Sequence, residues 1–156
     1  ADGAFYLATT GTDTARLAET AIPWSRLATE LAKARGRVLV LLDACRSSAA
    51  GSLPLADNDE AVRGLQNALP SGLVVLSASK GRENSVESAE LKSGLFTHAV
   101  LRAISSDRDT TDLNGNGAIE VSELYRAVRD RVVTLRDGQQ TPWLSRSRLV
   151  GDFALF

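Results

Sequence analysis

Apolar and polar positions fall into blocks that predict strands and helices in turn. Val38-Leu39-Val40-Leu41-Leu42 is a continuous apolar run. Its lack of alternation predicts a parallel strand covered on both faces. A second buried strand is predicted over 73–76, a short first one over 5–8, and a closing one over 153–156. Trp24, Leu27, Ala28 and Leu31 recur at i, i+3, i+4 and i+7, which predicts a helix over 25–34 with Gly36 in the place of a C-cap glycine. Ala61, Leu65 and Ala68, flanked by Val62 and Leu69, form a short amphipathic helix that Pro70-Ser71-Gly72 breaks. Phe96, Ala99, Val100, Ala103 and Ile104 make another apolar stripe, and Val121, Leu124, Tyr125, Val128 and Val132 a long last helix. The polar stretches 9–20, 46–58, 80–92 and 105–117 read as loops. Strands alternating with helices imply an α/β layer fold with a mostly parallel sheet. Sites in such sheets lie at the C-terminal ends of strands, here 43–48 and 77–87.

Composition narrows the functional classes. The chain has 156 residues, 44% hydrophobic and 24% charged, with formal net charge -1. One domain with one sizeable core is expected. The charges are interspersed, so no basic footprint for nucleic acid or a membrane surface is present. No apolar run is long enough to span a bilayer. A single cysteine makes no intrachain disulfide, which fits a reducing, cytoplasmic setting. The start, Ala1-Asp2-Gly3-Ala4-Phe5-Tyr6-Leu7, enters a strand almost at once. A fragment or a processed chain is therefore expected.

That cysteine, Cys45, ends the apolar run at Asp43-Ala44-Cys45-Arg46. A thiol there is held rigidly yet meets solvent. A neighbouring base or cation would make it a nucleophile, and the following backbone N–H groups could face an oxyanion. Spacing alone favours an inert, buried cysteine, the commoner fate of a lone Cys.

The surrounding residues resemble a known family. Val38-Leu39-Val40-Leu41-Leu42-Asp43-Ala44-Cys45-Arg46-Ser47-Ser48 is similar to the nucleophile segment of caspase-like cysteine peptidases. Asp43 matches metacaspases and bacterial orthocaspases, and Arg46 matches animal caspases. Ser48 stands where the family usually has glycine. Ile22-Pro23-Trp24-Ser25-Arg26-Leu27, Leu76-Ser77-Ala78-Ser79, Glu83-Asn84-Ser85-Val86-Glu87, Gly94-Leu95-Phe96-Thr97 and Gln140-Thr141-Pro142 extend the likeness in order along nearly the whole chain. The resemblance implies the caspase–haemoglobinase fold over 1–156, this chain supplying the later strands. It also implies a Cys–His dyad whose histidine, in a His-Gly motif, would lie upstream of about Asp2 or on another chain. His98, the one histidine, falls off its helix's apolar stripe and reads as a surface residue.

The resemblance further implies a pocket for a basic P1 side chain, with Asp43 and Glu87 as its carboxylates. Ser77 and Ser79 are its candidate walls. Read without the family, Asp43 is equally a turn-capping carboxylate, and Glu83 a solvated loop charge. The expected function is a cysteine endopeptidase that cuts peptides after Arg or Lys. The alternative is an inactive caspase-like scaffold. Arg46 and Arg63 are the basic residues of the region often cut in maturation of this family.

One further motif stands apart. Residues 112–123 fit the twelve-residue EF-hand loop, with Asp112, Asn114, Asn116, the Ala118 carbonyl, Glu120 and Glu123 as oxygen ligands and Gly117 at the sharp turn. The entering helix stops short, near Ile104. The chemistry at Cys45 needs no cofactor, but Ca2+ is a candidate here. A metal-free turn closed by Asx hydrogen bonds fits the same pattern.

Overall fold

The computed structural model describes residues 5–43, 58–68, 72–81, 83, 87–88, 93–146 and 151–156. Cys45, Arg46 and Ser48 lie outside the described residues, as do Asn84, Ser85 and Val86.

The expected first strand is β1 (Tyr6–Leu7). It pairs antiparallel with β2 (Ile22–Pro23), not with the main sheet. The segment between them, read as loop, contains a 3-10 turn at Thr14–Arg16 and the one-turn helix α1 (Leu17–Thr20). Asp13 starts this turn by accepting the Ala15 N–H. Such short polar helices carry no apolar period, which is why the pattern missed them.

α2 (Trp24–Leu31) follows directly, with Pro23 before its first turn. Gly36 has φ +113°, and the chain enters β3 (Val38–Leu42) two residues later. After α3 (Asn58–Ala68) comes β4 (Leu73–Ser77). β3 and β4 are parallel as expected, in a register that sets Leu42 against Ser77. The third strand, β7 (Trp143–Arg146), runs antiparallel to β4 and was not foreseen.

Burial reverses one expectation. The unbroken apolar run predicts that β3 is covered on both faces, yet it is half-buried and its Leu41 is 44% exposed. β4 is the strand buried at every residue. The reason is sheet order, β3-β4-β7: β4 has a partner on each edge, whereas β3 has one among the described residues.

Side-chain alternation divides the core. Leu73 and Val75 face α2 and α3, packing with Trp24, Ala28, Val62 and Leu65. Leu76, on the other face, packs with Phe96, Ala99 and Val100 of α4 (Leu95–Ile104) and with Leu124, Val128 and Val132 of α6 (Val121–Leu135). The Trp24 indole N–H donates to the Ala61 carbonyl at 2.8 Å, pinning α2 to α3. The result is helices on both faces of a sheet, with Asp43 at its C-terminal edge.

The predicted loop 80–92 includes β5 (Glu87–Ser88), which pairs antiparallel with β6 (Ser93–Gly94). The predicted loop 105–117 includes α5 (Arg108–Thr111), which abuts Asp112 and supplies the entering turn that the sequence pattern lacked. The closing strand expected over 153–156 pairs with residues 119–121 and does not join the sheet.

Candidate functional site

Asp43 follows the last residue of β3, where parallel strands leave a crevice. The ladder continues one step past it, since Ala78 N–H donates to the Leu42 carbonyl at 2.9 Å. Asp43 and the 78–79 turn thus share the same sheet edge. Cys45 stands two residues further along the chain.

The Asp43 carboxylate is held asymmetrically. The Thr97 hydroxyl donates to its Oδ2 at 2.6 Å. Its Oδ1 is buried and has no hydrogen-bond partner among the described residues. An unpaired buried carboxylate oxygen is unfavourable unless a donor is supplied. The carboxylate rests beside the N-terminal turn of α4, the positive end of that helix's dipole. Gly94 closes the other side: a Cβ there would come within 2.7 Å of Oδ2.

Gly94 is also the register partner of Glu87. Directly opposed antiparallel residues have Cα atoms about 4.5–5.5 Å apart. The hairpin therefore sets the Glu87 backbone next to the glycine on which Asp43 packs. Asp43 and Glu87 are brought together at the level of the backbone, across some 44 residues of chain.

Ser77 and Ser79 lie at this edge, almost wholly buried. The Ser77 hydroxyl donates to the Ser79 carbonyl, and the Ser79 hydroxyl to the Glu83 carbonyl. Any part they play in a pocket is through the shape of this turn. Glu83 departs from the reading as a solvated charge. Its Oε2 accepts the Thr141 N–H at 2.7 Å and the Lys80 N–H at 3.3 Å. Beside it the Gln140 amide, fully buried, donates to the Ala78 carbonyl at 3.0 Å. The Gln140-Thr141-Pro142 segment is thus bolted to the turn after β4.

His98 is half-buried on α4. Arg63 lies inside α3 between the buried Val62 and Leu65, so cleavage after it would first require that helix to unwind. A groove of about 460 Å³ lies near the C-terminal ends of α4 and α6, lined by Ala103, Asp107, Thr111 and Arg131 among others. It sits at the opposite end of α4 from Asp43, and no cysteine or histidine is among its lining residues. Arg102 and Arg131 both pair with its Asp107. Hydrogen bonds from Arg102 and Ser106, with the charges of Arg131 and Arg102, hold this carboxyl down at about 2 against the opposing effect of burial.

The loop 112–123 is closed by its own polar groups. Asp112 accepts the N–H groups of Gly115, Asn116 and Gly117. Asn114 and Asn116 accept from residues two further along, while their amides donate to Glu120. Gly117 takes φ +81°, which favours glycine. Glu120 and Glu123 form a capping box at the start of α6. Glu123 also accepts from Leu113 N–H at 2.9 Å and Asn114 N–H at 3.3 Å. Burial pushes the Glu123 carboxyl up, but its contact with the Glu120 side chain and the backbone donors outweighs this and holds it below the usual range. The all-oxygen donor set with its turn glycine fits a hard cation by type. Among the described residues, however, no three of His, Cys, Asp and Glu gather as a metal group. In this structure Glu123 serves backbone N–H groups.

No helix among the described residues is long and apolar enough to cross a membrane. No curated protein and no solved structure matches the chain. The family model of the caspase domain matches residues 11–154, nearly the whole length, and its mixed α/β layers have the caspase–haemoglobinase form. The chain belongs to the caspase-domain family of cysteine peptidases.

Proposed function

We propose that this chain carries the nucleophile and the P1 pocket of a cysteine endopeptidase that cleaves after Arg or Lys. The observation that carries the reading is Asp43. Its carboxylate sits at the functional edge, two residues before Cys45, with one oxygen lacking a partner among the described residues and with the Glu87 backbone brought alongside. Two carboxylates suit a guanidinium fork or an ammonium. An aspartate side chain would meet repulsion there.

In the proposed reaction the Cys45 thiolate attacks the scissile carbonyl carbon. A histidine from outside these 156 residues takes the thiol proton and delivers it to the leaving amine. The Cys45 N–H helps hold the oxyanion, and water then hydrolyses the acyl-enzyme. Peptides differing only in Arg, Lys or Asp at P1 test this on the full-length protein. The Arg and Lys peptides are expected to turn over, and Cys45→Ala to abolish that activity. Faster cleavage of the Asp peptide would refute the pocket. Failure of an Arg-chloromethylketone to alkylate Cys45 would favour a non-catalytic scaffold.

The loop 112–123 is proposed to take Ca2+ with modest affinity, through Asp112, Asn114, Asn116, the Ala118 carbonyl, Glu120 and Glu123. Two asparagines among the ligands keep its charge low. Bound calcium would act as a structural clip. Calorimetry with millimolar calcium tests it, and absence of heat would remove it.

A further inference from the structure

Asp43 is kept in one orientation by two residues with no assigned role, Gly94 and Thr97. We infer that they are specificity-positioning residues, fixing the Asp43 carboxylate so that Oδ1 receives a cationic P1 side chain; this rests on the basic-P1 reading above.

A free aspartate side chain at a strand end has several rotamers. Here the Thr97 hydroxyl, one turn into α4, donates to Oδ2 at 2.6 Å. A hydroxyl has one proton to give, so the bond selects one oxygen. Gly94 supplies the space. Its ideal Cβ would lie 2.7 Å from Oδ2 and 3.5 Å from Cγ, so any other residue at 94 would displace the carboxylate. The φ of Gly94 is -59°, which every residue adopts. The glycine therefore serves close approach, not backbone freedom. The same residue pairs with Glu87. One glycine thus sets the spacing between the two carboxylate-bearing segments. Among the described residues the uncommitted atom is Oδ1, where an arginine N–H or a lysine ammonium would complete the pairing. Prior orientation of an acceptor raises affinity for ground state and transition state alike, so its loss is expected in KM more than in kcat.

The test uses the full-length protein and an Arg-P1 fluorogenic peptide. Thr97→Val, nearly isosteric but without the donor, should raise KM about tenfold with a much smaller change in kcat. Thr97→Ser, which restores the hydroxyl, should bring KM back towards wild type. Gly94→Ala should raise KM at least as much. Iodoacetamide labelling of Cys45 at the wild-type rate in each variant reports that the nucleophile segment is intact. If the wild type cleaves the Arg peptide but Thr97→Val keeps its KM, this inference fails while the basic-P1 reading stands. The same holds if Val and Ser raise KM equally, since the hydroxyl is then not the agent. If the wild type does not cleave Arg-P1 peptides, the reading and the inference fall together.

Discussion

Glu83 and Asp107 show how much one carboxylate can organise. Glu83 joins the turn after β4 to the segment before β7 by accepting two backbone N–H groups. Glu83→Ala leaves the Thr141 N–H without that acceptor, and chemical denaturation is expected to show a loss of about 1–2 kcal/mol. Asp107 ties α4 to α6 through Arg102 and Arg131. Its folded pKa, about 2, lies below the ordinary aspartate range. A depressed carboxyl contributes stability above its unfolded pKa and loses it as pH falls through the folded one. Asp107 should therefore leave stability level above about pH 5 and reduce it between about pH 4 and 2. Asp107→Asn should flatten that acid limb in thermal melts; an unchanged limb would show that the pairing contributes nothing. Neither role was legible in the sequence, because both depend on partners 24 to 58 residues away. Asp43 was legible through its neighbours in a motif. Gly94 and Thr97 stand in a matching motif too, but only the fold shows that they border Asp43.

At the scale of elements, legibility followed apolar content. α2, α3, α4 and α6 each present a stripe of buried side chains, and each was found within a few residues of its ends. α5, composed of Arg-Asp-Thr-Thr, has no stripe. It forms because the Thr110 and Thr111 hydroxyls donate to the Asp107 carbonyl and α6 packs beside it. β7 was missed for a related reason. Trp143 joins one core and Leu144 the other, a pattern that means strand only once β4 is there to pair with it. The burial of β4 over β3 was likewise set by sheet order, which local pattern does not encode. Phe96 is the central contact between α4 and the sheet, with 1% exposure. Phe96→Ala should cost about 3–5 kcal/mol, read from the urea midpoint. A loss below about 1 kcal/mol would show that the neighbouring side chains refill the cavity.

Over the whole molecule, helices on both faces of β4 place distant motifs at one edge, while a second centre forms where the 112–123 loop meets the last residues. The Ile119 N–H donates to the Phe156 carbonyl, the Leu155 N–H to the Ile119 carbonyl, and the Val121 N–H to the Phe153 carbonyl. Arg108 donates to the carbonyls of Gly117 and Phe156. Ser122 bonds Asp152 from the first turn of α6. The loop thus links α5, α6 and the 152–156 segment, so a cation held there would stabilise a junction of three parts. Ligand linkage adds RT ln(1 + [L]/Kd). For a Kd of about 1 mM, 10 mM calcium would contribute about 1.4 kcal/mol. That corresponds to a rise of roughly 3–6 °C in the melting midpoint for a chain of this size. Asp112→Asn, which removes the first carboxylate, should lose the rise and lower the calcium-free midpoint only slightly, because its amide oxygen can still accept the Gly115 and Asn116 N–H groups while the Gly117 N–H loses its acceptor. An equal rise in wild type and Asp112→Asn would assign the effect to other carboxylates. No rise at 10 mM would leave the loop as a turn that Asp112, Asn114 and Asn116 close by hydrogen bonds alone.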